Sequence, residues 1–146
     1  MIHAKMNIEP KTEDDLPALL NIFNLSRAAN GSFPAPAYGM REFLAAIDGE
    51  DILVARIDKE IAGFVSVWRA ENFVHHLFVL PKHQRKGIGK ALISRCAHTF
   101  GLPLSLKCVA ANTAACRFYE QSGWQPGSKA VGPEGPYIRY QLTDQT

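Results

Sequence analysis

Seven consecutive residues, Gln84-Arg85-Lys86-Gly87-Ile88-Gly89-Lys90, combine two glycines with three cations. A strand-like apolar run, Phe73 to Leu80, precedes them, and a helix-like run, Ala91 to Phe100, follows. A strand, a basic glycine loop and a helix N-terminus together can hold a pyrophosphate on backbone N–H groups. Glycine lets the main chain come close, and the helix dipole favours negative charge there. Lys82, Arg85, Lys86 and Lys90 fall within ten residues, with His83 among them, while the whole chain carries only +2. A local anion site explains that clustering better than a general surface charge does. The plainer reading is a basic turn with a glycine helix start.

Two known phosphate loops can be tested against the segment. A P-loop needs G-x-x-x-x-G-K-[ST]. Here Gly89-Lys90 is followed by Ala91, and Gln84 stands where the first glycine belongs, so that reading fails. A dinucleotide fingerprint needs a third glycine three residues after the second. That position holds Leu92, and the strand before the loop is not the first of a βαβ unit.

The elements that must position this loop can be read along the chain. Ile2, Ala4, Met6 and Ile8 alternate with polar residues, which predicts a first strand ended by Pro10. Thr12 to Asp15 supplies an N-cap and first-turn acids, and Leu16, Leu19, Leu20 and Phe23 follow helical spacing to about Asn30. Gly31 to Gly39 reads as a loop, and Met40 to Ile47 as a short helix stopped at Gly49. Ile52–Ile57, Ile61–Trp68 and Phe73–Leu80 form a three-strand meander with turns at Asp58-Lys59 and Arg69–Asn72. After the glycine loop comes a helix to about His98, then a strand, Leu104–Val109. Asn112 caps a helix to about Ser122, with Gly123 at its C′ position. Two last strands start at Trp124 and at Tyr137, and Gly127 to Pro136 reads as a flexible connection between them.

The order β-α-α-β-β-β-α-β-α-β-β implies one α/β domain spanning residues 1–146, with a mixed, mostly antiparallel central sheet flanked by helices. The helix from Ala91 would be the crossover that makes Phe73–Leu80 and Leu104–Val109 parallel neighbours. The length of 146 residues suits one domain, and 47% apolar residues suffice for a core. Three cysteines, Cys96, Cys108 and Cys116, with no C-x-x-C pair argue against a disulfide framework or a zinc cluster. Reduced, buried thiols, no apolar signal core at the N-terminus and no run near the ~18 apolar residues of a membrane span suggest a cytoplasmic protein without a membrane partner.

Wider context adds a resemblance. Leu77-Phe78-Val79-x-Pro81-x-x-Gln84-x-x-Gly87-x-Gly89 resembles the acyl-CoA-binding motif of the GNAT acetyltransferase superfamily, whose core is Q/R-x-x-G-x-G/A. A second element, Asn112-x-x-Ala115-x-x-Phe118-Tyr119-x-x-x-Gly123-Trp124, resembles the family's N-x-x-A-x-x-F-Y-x-x-x-G-F and differs only in its last aromatic. The resemblance runs from about Met1 to Leu142, with its specific part between Phe73 and Trp124.

It implies an N-acetyltransferase that uses acetyl-CoA as co-substrate and a primary amine as acceptor. The N–H groups of Arg85, Lys86, Gly87, Ile88, Gly89 and Lys90 would take the pyrophosphate, and Arg85, Lys86 or Lys90 would add charge. The backbone at Phe78 and Val79 would pair with the pantetheine arm as an extra strand would. The thioester would lie in a wedge between Leu77–Val79 and Val109–Ala111, where a backbone N–H can polarise its carbonyl. Asn112, Ala115 and Phe118 would line the arm from the other side. Tyr119 matches the family tyrosine that reaches the CoA sulfur, so it is the candidate acid for the thiolate; core packing is its alternative role.

A base must take the amine proton. The position four before Leu77, which often carries it in the family, is Phe73, which cannot act. His75 stands where some small-amine members carry a histidine, and that residue type suits proton transfer near neutrality. Glu71 or a water relay could replace it, and His75 could instead be a half-buried strand histidine. Strand alternation puts His76 on the opposite face from His75, unless a bulge intervenes. Cys116, one turn before Tyr119, reads as a structural thiol rather than an acyl carrier.

Two other functions fit the residues. One is a catalytically weak acyl-CoA sensor of the same fold. The other is a nucleic-acid module using Lys82, Arg85, Lys86 and Lys90 on phosphates, but that patch has no interleaved aromatic platform and no nucleic-acid partner is expected. The acceptor would meet the loop Gly31–Gly39, with Phe33 and Tyr38, and the segment Gly127–Pro136, with Glu134; Trp68 and Phe73 would join them. Aromatic residues and few acids there suggest a modest, partly apolar amine rather than a polycation. Many relatives form homodimers through their terminal strands, and that assembly stays open here.

Overall fold

A computed structural model describes residues 5–30 and 36–144. Strand β1 (Met6–Pro10) leads through a 3-10 turn (Glu13–Asp15) into α1 (Leu16–Asn30) and α2 (Met40–Ala46). Then follow β2 (Asp51–Ile57), β3 (Glu60–Trp68), β4 (Phe73–Val79), α3 (Ile88–Phe100), β5 (Leu104–Val109), α4 (Thr113–Gln121), β6 (Gln125–Gly132) and β7 (Gly135–Leu142). The strands make one sheet in the order β1-β2-β3-β4-β5-β7-β6. Every pairing is antiparallel except β4 with β5, the two strands that α3 connects. The expected mixed sheet and its parallel crossover are therefore present. No described helix is long and apolar enough to cross a membrane.

Strand alternation divides the core into two layers. Val54 and Phe64 point to the face covered by α1 and α2, where Leu19, Ile22, Phe23 and Phe43 pack on them. Leu53, Ala55, Val65 and Val67 point to the other face, against Leu92, Ile93 and Cys96 of α3. Leu106 and Cys108 of β5 and Tyr140 of β7 continue that second layer towards Cys116 of α4.

Three expectations need correction. α3 begins at Ile88, inside the glycine loop, rather than at Ala91. Gly87, with φ of 79°, is its N-cap, a left-handed conformation glycine adopts without strain, so the helix starts at the next residue. Gly127 to Pro136 is not a flexible connection. Two strands run through it to a tight turn, with Gly132 paired to Gly135, because the hairpin ladder satisfies backbone groups that a loop would leave to water. Gly127 and Ser128 sit at a register shift in β6, which explains how the strand absorbs that glycine. The histidine pair is the third case and is described with the site. Ile2 and Ala4 of the expected first strand, and Phe33 of the expected loop, lie outside the described residues.

Asp15 ties β1, α1 and β2 together. Its Oδ2 accepts from the Thr12 backbone N–H at 2.8 Å and from the Arg56 guanidinium at 2.7 Å, while Arg56 Nε also donates to Glu9 at 2.6 Å. Burial pushes the Asp15 carboxyl up, but Arg56 and Thr12 outweigh it and hold the pKa below the ordinary 3.8. A depressed carboxylate stabilises the fold above the unfolded-state pKa, and loses that contribution as pH falls through the folded value. Asp15→Asn should therefore cost about 2 kcal/mol in denaturant melts at neutral pH. The gap to the parent should close as pH falls below 3.8.

Candidate active site

β4 and β5 touch at a single register pair, Phe73 with Ser105. Beyond it the strands diverge, so Leu77, Phe78 and Val79 have no partner on β5. The result is a wedge whose walls are the C-terminal halves of β4 and β5. Gln84, just past β4, turns its side-chain amide back to the Val79 carbonyl at 3.3 Å.

The glycine loop sits at the open end of β4. Arg85 adopts φ of 66°, and Gly87 follows in the same left-handed region. The first intrahelical bond of α3 runs from Ala91 N–H to the Gly87 carbonyl at 3.0 Å, so the N–H groups of Ile88, Gly89 and Lys90 have no acceptor within the helix. A Cβ at Gly89 would lie 3.3 Å from the Phe118 ring and 3.9 Å from Val79. Only a hydrogen leaves that backbone open, so the first turn of α3 suits a phosphate between β4 and α4. Lys82 and His83 are engaged with Glu60, at 2.8 and 2.7 Å. Lys86 lies 3.3 Å from His83. Among the described residues, the side chains of Arg85 and Lys90 stay exposed without an ion-pair partner. The loop is thus pinned by half of its cations and keeps the others free.

α4 forms the opposite wall. The Asn112 side chain accepts from Ala115 N–H at 3.1 Å and so caps the helix. Ala115 and Tyr119 pack on the apolar layer under α3 and α4. The Tyr119 ring lies 5.2 Å from Phe118, 5.6 Å from Trp124 and 5.9 Å from Tyr140. Burial, followed by the neighbouring Cys108 and Cys116, pushes the Tyr119 phenol well above its ordinary value. It stays a protonated hydrogen-bond donor across the usable pH range. Cys108 and Cys116 lie 3.5 Å apart, both buried and unbridged, and burial pushes the Cys108 thiol up to about 12. A thiol held protonated in this way is a poor nucleophile.

The histidines hold the main surprise. β4 shifts register against β3 so that His76 pairs with Ser66 but Val74 pairs with Val67, leaving His75 as the extra residue of a bulge. Strand alternation alone placed the two side chains on opposite faces. The bulge instead stacks their rings 3.9 Å apart. His76 is largely enclosed, edge-on to Phe23 at 5.4 Å, and burial above all pushes its pKa down to about 3, so it is a neutral platform. His75 stays half exposed.

His75 also has a partner that no spacing in the sequence suggested. Its Nδ1 lies 2.5 Å from Glu50 Oε2, and the other oxygen of Glu50 accepts from the buried Ser66 hydroxyl. Glu50 is itself enclosed, with 6% of its side chain exposed. A carboxylate only accepts, so Nδ1 carries the hydrogen and Nε2 presents its lone pair outward. Glu50 stands 25 residues before His75, and only the β2–β3–β4 meander brings them together. Glu71 lies exposed in the turn before β4. Phe73 faces the same side as His75, at 6.3 Å between rings. A separate shallow groove between β1 and α3, lined by residues such as Ile8, Ser94 and His98, contains none of these groups.

The fold has counterparts among known structures. The fold matches a GCN5-related N-acetyltransferase from Rhodopseudomonas palustris with a TM-score of 0.82 at 16% identity, covering 99% of each chain. It matches the yncA protein of Salmonella typhimurium, solved with its cofactor acetyl-CoA, with a TM-score of 0.72 at 22% identity over 97% of this chain and 95% of that one. The ribosomal-protein-S18-alanine N-acetyltransferase of Escherichia coli gives 0.71 at 19% identity over 97% and 96%. In sequence, residues 16–124 match the Acetyltransferase (GNAT) family, a span that contains the glycine loop, the wedge and α4. With the splayed sheet in place as well, this chain belongs to the GNAT acetyltransferase family.

Proposed function

We propose that this protein is a single-domain N-acetyltransferase that moves the acetyl group of acetyl-CoA to a primary amine in a ternary complex. The observation that carries this reading is the wedge, with an unpaired strand edge on β4 and the free N–H groups of the first turn of α3 beside it. Acetyl-CoA supplies an activated acetyl thioester. Residues 85–90 would hold its pyrophosphate, Phe78 and Val79 its amide-rich arm, and Asn112, Ala115 and Phe118 the other side of that arm. The reduced thiols suit a cytoplasmic enzyme.

Two protons move in such a transfer: the amine loses one and the departing sulfur gains one. His75 would take the first; the contact of Glu50 with Nδ1 supports this by leaving Nε2 as acceptor. Tyr119 would serve the second. It belongs to the α4 side of the sheet, whereas His75 belongs to the α1 side, so amine and thiol would be served from opposite faces. With its pKa raised, Tyr119 acts chiefly by donating a hydrogen bond to developing thiolate charge, and solvent then delivers the proton.

The reading is tested by titrating the folded protein calorimetrically with acetyl-CoA and CoA, then assaying CoA release with an amine panel. Micromolar binding and amine-dependent release support it. Absence of binding removes it. Tyr119→Phe should lower kcat about tenfold or more while acetyl-CoA affinity stays within about twofold. An unchanged kcat would leave Tyr119 as packing only.

A further inference from the structure

The face of the sheet that carries His75 continues across β5 and β7. Lys107 of β5 and Arg139 of β7 are direct cross-strand partners. Like charges opposite each other on antiparallel strands repel, and both residues are exposed. Among the described residues, neither has an ion-pair partner. Both heads are nonetheless held over aromatic rings. Lys107 Nζ lies 5.9 Å from the Phe73 ring and 5.1 Å from the Tyr137 ring. The Arg139 guanidinium carbon lies 5.9 Å from Phe73. Phe73 is also the ring next to His75, at 6.3 Å. Two unpaired cations thus converge on the aromatic floor that leads to the candidate base.

We propose that Lys107 and Arg139 form an anion subsite for the acceptor, and that the acceptor is an amine carrying a carboxylate. The inference rests on the acetyltransferase reading above. The amine nitrogen would reach His75 Nε2, the carbon chain would lie on Phe73, and the carboxylate would bridge the two cations. An arginine fork beside a lysine matches two carboxylate oxygens. The repulsion between Lys107 and Arg139 is then relieved only in the complex, which turns a cost of the free protein into affinity. A polyamine would meet the same pair as repulsion, so selectivity against polycations follows from the same two residues.

The test measures CoA release with saturating acetyl-CoA for matched acceptors: amino acids including β-alanine and 4-aminobutyrate, their carboxamides, their decarboxylated amines, and aminoethyl phosphate. Acetyl-CoA binding is checked calorimetrically on the same preparation. The expected result is a kcat/KM at least about 100-fold higher for a carboxylate than for its amide, two hydrogen-bonded charge contacts being lost. In Lys107→Ala, Arg139→Ala protein, that preference should fall to within about threefold, through a raised KM for the carboxylate acceptor, with acetyl-CoA affinity unchanged. In Lys107→Glu, Arg139→Glu protein, diamines should overtake the amino acids. Acetyl-CoA binding and turnover without carboxylate preference would overturn this inference and leave the acetyltransferase reading standing. A preference for aminoethyl phosphate alone would overturn the carboxylate assignment. Failure to bind acetyl-CoA would remove both.

Discussion

Gly89→Asp should abolish measurable acetyl-CoA binding while leaving the protein folded. The new Cβ would stand 3.3 Å from the Phe118 ring, at the edge of what a neighbour can yield to, and the carboxylate beyond it would fill the space in front of the α3 N-terminus. Negative charge there competes with a pyrophosphate for the same N–H groups and helix dipole. An aspartate in a helix first turn is itself favourable for the apo fold, so stability is not the expected casualty. A loss of more than about 100-fold in affinity corresponds to about 2.7 kcal/mol, within reach of one blocked anion site. Calorimetry on parent and variant, with a thermal melt of each, is the measurement. Gly89→Asp protein that binds as the parent does would move the cofactor off this loop. Gly87→Asp is the weaker companion, since a Cβ there meets nothing and the penalty is its φ of 79°.

His75→Ala should lower kcat/KM for the acceptor by about 10²- to 10³-fold, the range a positioned base contributes. Acetyl-CoA affinity should not move, and the acidic limb of the pH–rate profile should flatten. Glu50→Gln tests the same unit from behind. An amide cannot supply the charge that orders Nδ1–H, so kcat should fall about tenfold with little change in KM. In the His75→Ala background, the Glu50 substitution should add almost nothing, because its effect runs through the ring. That non-additivity is what a merely structural Glu50 would not produce. An unaltered profile in His75→Ala would pass the base role to water or to Glu71.

The elements were legible because the chain punctuates them strongly. Pro10, Gly49, Pro81, Gly101 and Gly123 bound runs whose apolar spacing is unambiguous. The glycine loop was legible for a related reason: a site built from backbone N–H groups has a short contiguous pattern of glycines as its signature. Around the candidate base, His75 and Phe73 could be named from the sequence, but their partners could not. Glu50 with His75, and Lys107 with Arg139, are assembled across strands 25 and 32 residues apart, and nothing local marks them. The bulge at His75 was hidden too, because a bulge is a property of two strands in register and not of one strand's composition. The two last strands are legible, but their reach through Gly127–Pro136 is not, since the glycines, prolines and exposed residues there look like loop when the partner strand is unseen.

The lone register pair between β4 and β5 also bears on how the molecule holds together. A seven-strand ladder joined at its centre by one residue pair is, in backbone terms, a four-strand plate and a three-strand plate. Apolar packing beneath α3, rather than hydrogen bonding, carries the load across that seam. An extended ligand laid along β4 would act as the absent rungs. Binding would then register as slower amide exchange along Leu77–Val79 and as a steeper unfolding transition, so that cooperativity itself becomes a gauge of occupancy.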